Sequence, residues 1–149
     1  FNNGDHVDWE LADGTGADYS SYLETGYELF ADMVKQKAMP YLYVYMGKTE
    51  TGVVNSLLLS PSSCFMRAKW DWTEDGDTGK WSTRRQIYRL KRQFDSGIIV
   101  DELPGETVII SREKVRGRGR AVQFRFESEA GKDFNIHGWQ AFPDIQDGF

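Results

Sequence analysis

The chain has 149 residues, 18 Lys and Arg against 23 Asp and Glu for a formal net charge of −5, one Cys, two His and 21 aromatic residues. A chain of this length builds one domain and buries roughly two thirds of its unfolded surface, and 40% hydrophobic with 28% charged residues excludes a disordered tail. No apolar run approaches the ~18 residues of a membrane span, and the single Cys64 excludes a disulfide framework and a multi-cysteine zinc or redox motif.

With no Met, basic region or apolar stretch before Asp5, the sequence is expected to begin inside a longer or processed chain. Its first 34 residues carry eight acidic groups (Asp5, Asp8, Glu10, Asp13, Asp18, Glu24, Glu28, Asp32) and no Lys or Arg, while the remainder carries 18 basic and 15 acidic groups. The first segment is thus −8 and the rest +3. Such segregation suits docking, within the chain or onto a neighbouring copy, and also a solvated acidic arm. Residues 1–38 are read as that arm or linker, and 39–149 as the folded domain.

Between Ser20 and Lys37, Tyr22, Leu23, Tyr27, Phe30, Met33 and Val34 approximate a helical stripe, interrupted at Thr25-Gly26. The expectation is at most one short helix near Glu28–Gln36, ended before Pro40. Tyr41 to Met46 is aromatic and β-branched on both faces, as in a strand buried on both sides or one whose Tyr face meets another surface. Val53 to Leu59 reads as the next strand.

Cys64, Met66, Ala68, Trp70 and Trp72 then fall on one face of a strand, with Arg67, Lys69 and Asp71 on the other. An Asp-Gly turn near residue 76 and a return over Lys80–Leu90 make 64–90 a hairpin. Strands follow near Ile98–Val100 and Thr107–Ser111. Val122, Phe124 and Phe126 alternate with Gln123, Arg125 and Glu127, and Gly131 turns the chain into Asp133–Trp139. About eight short strands at turn spacing indicate an all-β fold, an antiparallel β-sandwich or jelly roll.

Candidate chemistry is sparse. Asp71–Asp77 imitates a calcium loop, but its third position is Thr73 and its twelfth is Ser82 instead of a bidentate Glu, so the stretch is read as a polar hairpin turn. Cys64, on an apolar strand face, reads as core rather than nucleophile. His6 and His137 lack a second ligand at metal spacing, and no phosphate loop or nucleophile elbow is present. No metal, cofactor or catalytic group is therefore expected.

Two basic clusters stand out: Arg84, Arg85, Arg89, Lys91 and Arg92, then Arg112, Lys114, Arg116, Arg118 and Arg120. The Arg116-Gly-Arg-Gly-Arg120 run could grip a phosphate backbone. A pI near 5.1 argues against nucleic acid as the main partner. The run is better read as a bend into the Val122 strand, with its arginines pairing to acidic groups. Trp70, Trp72, Trp81 and Trp139, with the Tyr41/Tyr43/Tyr45 face, form either core and interface anchors or a platform for glycan stacking.

Cys64-Phe-Met-Arg-Ala-Lys-Trp-Asp-Trp72, Gly79-Lys-Trp-Ser82, Ile87-Tyr-Arg89, the run Val115 to Glu129 and His137-Gly-Trp139 together resemble segments of tailed-bacteriophage virion structural proteins. The tail-nozzle or tail-tubular group is the nearest in pattern, over residues 62–140. Those proteins are much longer and have propeller-like parts, and residues 1–40 fall outside the resemblance. It implies a non-enzymatic virion part, in a cyclic homo-oligomer that contacts other virion proteins, and carries over no catalytic residue. Arg84, Arg85, Arg89, Arg116, Arg118 and Arg120 are then expected to pair with acidic groups of the arm, Asp8 and Glu10 among them, on the same or a neighbouring subunit. A glycan-binding module is the alternative.

Overall fold

A computed structural model describes residues 9–10, 16–48, 53–54, 62–71, 81–89, 92–95, 98–101 and 105–145. All regular structure among them is β. The strands are β1 (Trp9–Glu10), β2 (Gly16–Ala17), β3 (Tyr22–Glu24), β4 (Lys37–Ala38), β5 (Tyr41–Gly47), β6 (Val53–Val54), β7 (Phe65–Trp70) and β8 (Arg85–Gln86). There follow β9 (Arg92–Asp95), β10 (Ile98–Asp101), β11 (Val108–Lys114), β12 (Arg118–Gly119), β13 (Val122–Glu127), β14 (Ile136–Ala141) and β15 (Asp144–Ile145).

Two sheets build the sandwich-like body. One has the order β3-β13-β7-β8 and the other β11-β5-β14. Smaller sheets have the orders β6-β10-β9, β12-β4-β15 and β1-β2, and every named strand pair is antiparallel. Period-two alternation supplies the core, because successive side chains leave a strand on opposite faces. β13 buries Val122, Phe124 and Phe126, β7 buries Met66 and Ala68, and β5 buries Leu42, Val44 and Met46. Trp139 of β14 meets Phe126 of β13 at 5.6 Å between ring centroids, so both sheets share one core.

The expected helix is absent from the described residues. Phe30 and Ala31 have φ of 49° and 63°, in the left-handed region that side chains rarely adopt. The chain instead edges the four-stranded sheet, with Glu28 and Val122 exchanging backbone hydrogen bonds of 2.8 and 3.2 Å. Asp32 then closes a turn, its carboxylate accepting the N–H groups of Val34 and Lys35 at 2.8 and 3.0 Å. Those two bonds, Lys35 first, hold its carboxyl below the usual carboxylate range and compete with helix formation. Met33 and Val34, part of the apparent helical stripe, are exposed.

A lysine locks this turn. Lys37 is 1% exposed, and its ammonium donates to the carbonyls of Asp32, Lys35 (3.2 Å) and Arg120 (3.1 Å). Burial of a cation is costly unless its donors are matched, and three carbonyls match the three N–H groups. With β3 on one sheet edge and β4 between β12 and β15, residues 22–38 are woven into the domain rather than forming a separate linker.

Of the hairpin expected over 64–90, the two strands pair with a short return, and its turn lies outside the described residues. Phe65 pairs Gln86, Met66 pairs Arg85, and Ser82 N–H reaches the Ala68 carbonyl at 2.8 Å. Lys69, on the face opposite Met66 and Ala68, is also buried, 2% exposed, with its ammonium 4.6 Å from the Trp81 ring centroid and 5.9 Å from that of Tyr27. Of the strand expected over Val53–Leu59, only Val53–Val54 lies among the described residues.

Candidate functional site

β5 settles which face of the Tyr run is outward. Leu42, Val44 and Met46 are buried, leaving Tyr41, Tyr43 and Tyr45 on the outer surface of the three-stranded sheet. Register places Ile110, Arg112 and Lys114 of β11 beside Tyr45, Tyr43 and Tyr41, and Gln140 and Gly138 of β14 beside Tyr43 and Tyr45.

Local contacts order this face. The Arg112 guanidinium lies 4.7 Å from the Tyr41 ring centroid, Phe142 meets Tyr43 edge-on at 6.1 Å, and the Tyr45 hydroxyl donates to Gln140 Oε1 at 3.3 Å. Ile110 is 62% exposed and Phe142 59%. Tyr45, Val108, His137 and Gly138 line an open depression of about 450 Å³. Contiguous aromatic and aliphatic surface of this kind marks an interaction face.

β11 has inverted polarity, which is why Val108 and Ile110 escape sequence reasoning, while Phe142 follows β14 with no pattern of its own to mark it. Ser111 and Glu113 are buried while Val108 and Ile110 are exposed. Apolar residues at both parities, Val108, Ile109 and Ile110 in succession, are the available signal.

The Arg-Gly-Arg-Gly-Arg run continues from β11 as a basic ridge. Gly117 has φ +103°, and a Cβ there would stand 2.7 Å from Trp70 Nε1; the indole N–H donates to the Arg116 carbonyl at 3.0 Å. Gly119 is packed on Asp71, where a Cβ would stand 2.6 Å from Oδ1. That same oxygen accepts the Arg120 and Ala121 N–H groups at 2.6 and 3.4 Å. The two glycines thus lie against the domain and allow the bend expected of them, while Arg116, Arg118 and Arg120 are exposed. Among the described residues these three arginines make no ion pair.

The other basic cluster finds partners that differ from those expected. Arg84 pairs Glu127 at 2.7 Å, Arg89 pairs Glu113 at 2.5 Å and Arg85 lies 3.8 Å from Glu113. Glu113 of β11 and Glu127 of β13 are nearly covered, so within this chain the cluster pairs with acids of the two main sheets. Asp8 lies outside the described residues, and Glu10 is in β1, paired in register with Gly16. From the acidic segment, Glu24 pairs Arg125 at 3.0 Å.

Trp70, Trp81 and Trp139 each pack on a different partner. Trp70 is held by Gly117 and Arg116, Trp81 covers Lys69, and Trp139 packs on Phe126. Trp72 lies outside the described residues, as does the calcium-like stretch beyond Asp71. Among the described residues no group of three or more His, Cys, Asp or Glu is placed to hold a metal, and no helix is long and apolar enough to cross a membrane.

Cys64 is wholly buried, and burial pushes its thiol up to about 12 from 9.0. It stays protonated in the fold where an unfolded chain would ionise, so stability is expected to fall as pH rises from about 9 toward 12. Iodoacetamide at pH 8.5 or so is expected to label Cys64 only on unfolding; labelling of the native chain at the unfolded rate would contradict this burial.

Comparison of the chain with protein-family models, with curated proteins and with solved structures finds no match.

Proposed function

We propose that the chain is a non-enzymatic structural domain of a bacteriophage virion, in the tail or head-to-tail assembly, that acts by contacts with other copies of itself and with neighbouring virion proteins. One observation carries the contact reading: an outer sheet face with exposed Tyr41, Ile110 and Phe142 is bordered by five exposed cations, Arg112, Lys114, Arg116, Arg118 and Arg120. The first 34 residues hold eight acids and no cation. An apolar centre with a charged rim is the anatomy of a protein interface, and opposite charge on a second copy supplies orientation and on-rate.

The acidic segment and the basic ridge are different patches, so their pairing is head to tail, which closes into a ring when the rotation permits. Assignment to a virion rests on the pattern resemblance over residues 62–140. The separate employment of Trp70, Trp81 and Trp139 favours this reading over a tryptophan platform for glycans.

Reversing the ridge tests it. The triple variant Arg116→Glu, Arg118→Glu, Arg120→Glu is expected to weaken self-association by at least about tenfold in sedimentation velocity, because like charges would then meet across the contact. Its melting temperature should stay near that of the parent, since exposed arginines without ion pairs contribute little to folding. Undiminished association of the triple variant would overturn the reading.

A further inference from the structure

A cleft on the opposite sheet carries chemistry that the interface reading leaves unused. β13 and β7 set Arg125 directly across from Arg67, a like-charge pair that needs an anion between its members. Glu127 supplies it. Arg67 Nε donates to Glu127 Oε1 at 3.1 Å, Arg84 Nε lies 2.7 Å from that same oxygen, and Arg125 Nε lies 3.2 Å from Oε2. The Arg125 Nη1 group donates to Glu24 at 3.0 Å.

Three guanidiniums therefore share two carboxylates, leaving one positive charge unmatched; Glu129, on the rim, is matched by Lys132 at 2.7 Å. Because Arg67 and Arg84 spend only Nε on Glu127, their terminal Nη groups have no partner among the described residues. The forks are also held in place from behind. Arg84 stacks 3.9 Å from the Phe65 ring centroid and Arg125 4.2 Å from that of Tyr22, and a stacked guanidinium loses less freedom when it takes a ligand.

The cleft has a volume of about 440 Å³, with Ser20, Ser128 and Glu129 also on its wall. That is room for a single small molecule. An unmatched single charge suits a monoanion better than a dianion, free guanidinium edges suit a planar carboxylate, and the Ser20 hydroxyl and rim carboxylate suit a polyol.

We propose that this cleft binds a sugar acid of monosaccharide size, its carboxylate on the Nη groups of Arg67 and Arg84 and its hydroxyls on Ser20 and Glu129, while the buried Ser128 hydroxyl stays bonded to Ser21. The site lies within one copy of the chain and holds whether or not the chain assembles.

Titrating the full chain with glucuronate, glucose and inorganic phosphate by heteronuclear NMR tests it. Glucuronate is expected to bind with a Kd in the millimolar range, at least about tenfold tighter than glucose and tighter than phosphate. Arg84→Gln and Arg67→Lys should each weaken it about tenfold or more, since Lys keeps the charge and loses the fork. Arg112→Gln, on the other sheet, should leave it unchanged. If Arg84→Gln fails to fold, Arg67→Lys decides. No saturable glucuronate binding, glucose or phosphate binding as tight as glucuronate, or parent-like affinity in Arg67→Lys would each overturn the proposal.

Discussion

Replacing Phe124 with Ala is expected to lower the unfolding free energy by about 3–5 kcal/mol, the range for truncating a fully buried aromatic residue. Phe124 is 0% exposed on β13, which lies between β3 and β7. Its cross-strand partner is Ala68, too small to fill the space. The neighbouring Phe126 is fixed against Trp139, so relaxation into the cavity is limited and the cavity cost persists. A domain of this size has about 5–15 kcal/mol of stability in all, so the variant should unfold at a markedly lower urea midpoint with an unchanged m-value. Phe142→Ala, at a site 59% exposed, should shift stability by less than about 1 kcal/mol. Equal effects at the two sites would contradict the assignment of core and outer face.

Gly117→Ala is the second large effect, at about 2–4 kcal/mol, from two sources that add. The φ of +103° is one that L side chains rarely adopt, and the new methyl would stand 2.7 Å from Trp70 Nε1. The indole cannot step aside without breaking its 3.0 Å bond to the Arg116 carbonyl and disturbing its packing on the core. Urea unfolding followed by tryptophan fluorescence reads both the loss and a changed Trp70 environment. A variant within about 0.5 kcal/mol of the parent, with an unchanged spectrum, would mean that the ridge is not seated on Trp70 as described.

The parts of the fold written in local alternation were legible in the sequence. β13 follows its pattern residue by residue, and β7 follows it except at Lys69, because period two is a property of the strand alone. Glu28–Gln36, where at most one short helix is expected, forms none among the described residues, because apolar spacing does not reveal that Asp32 bonds its own turn and that Lys37 gathers the carbonyls of Asp32, Lys35 and Arg120. The Asp32 bonds are local, but the burial of the Lys37 ammonium is completed by Arg120, 83 residues away in sequence.

The candidate site was legible in part for the same reason. The glycines of the 116–120 run announced a bend, while the Tyr run left open whether its Tyr face is buried or meets another surface, which the burial of Leu42, Val44 and Met46 decides. Which carboxylates meet Arg84, Arg85 and Arg89 is set by tertiary packing that brings them to Glu127 of β13 and Glu113 of β11 in the other sheet, and no charge count along the chain contains that packing. Trp70, Trp139 and Trp81 likewise take their roles from partners outside their own strands: Arg116 for Trp70, Phe126 for Trp139, and Lys69 for Trp81.

The central claim is that this chain is built to be held by other copies of itself, and the mass of the unmodified chain in solution tests it most directly. Light scattering across a range of concentrations at low salt is expected to give multiples of the 17.1 kDa monomer, falling toward that value as salt screens the acidic segment from the basic ridge. A mass of 17.1 kDa at every concentration and salt would contradict the account.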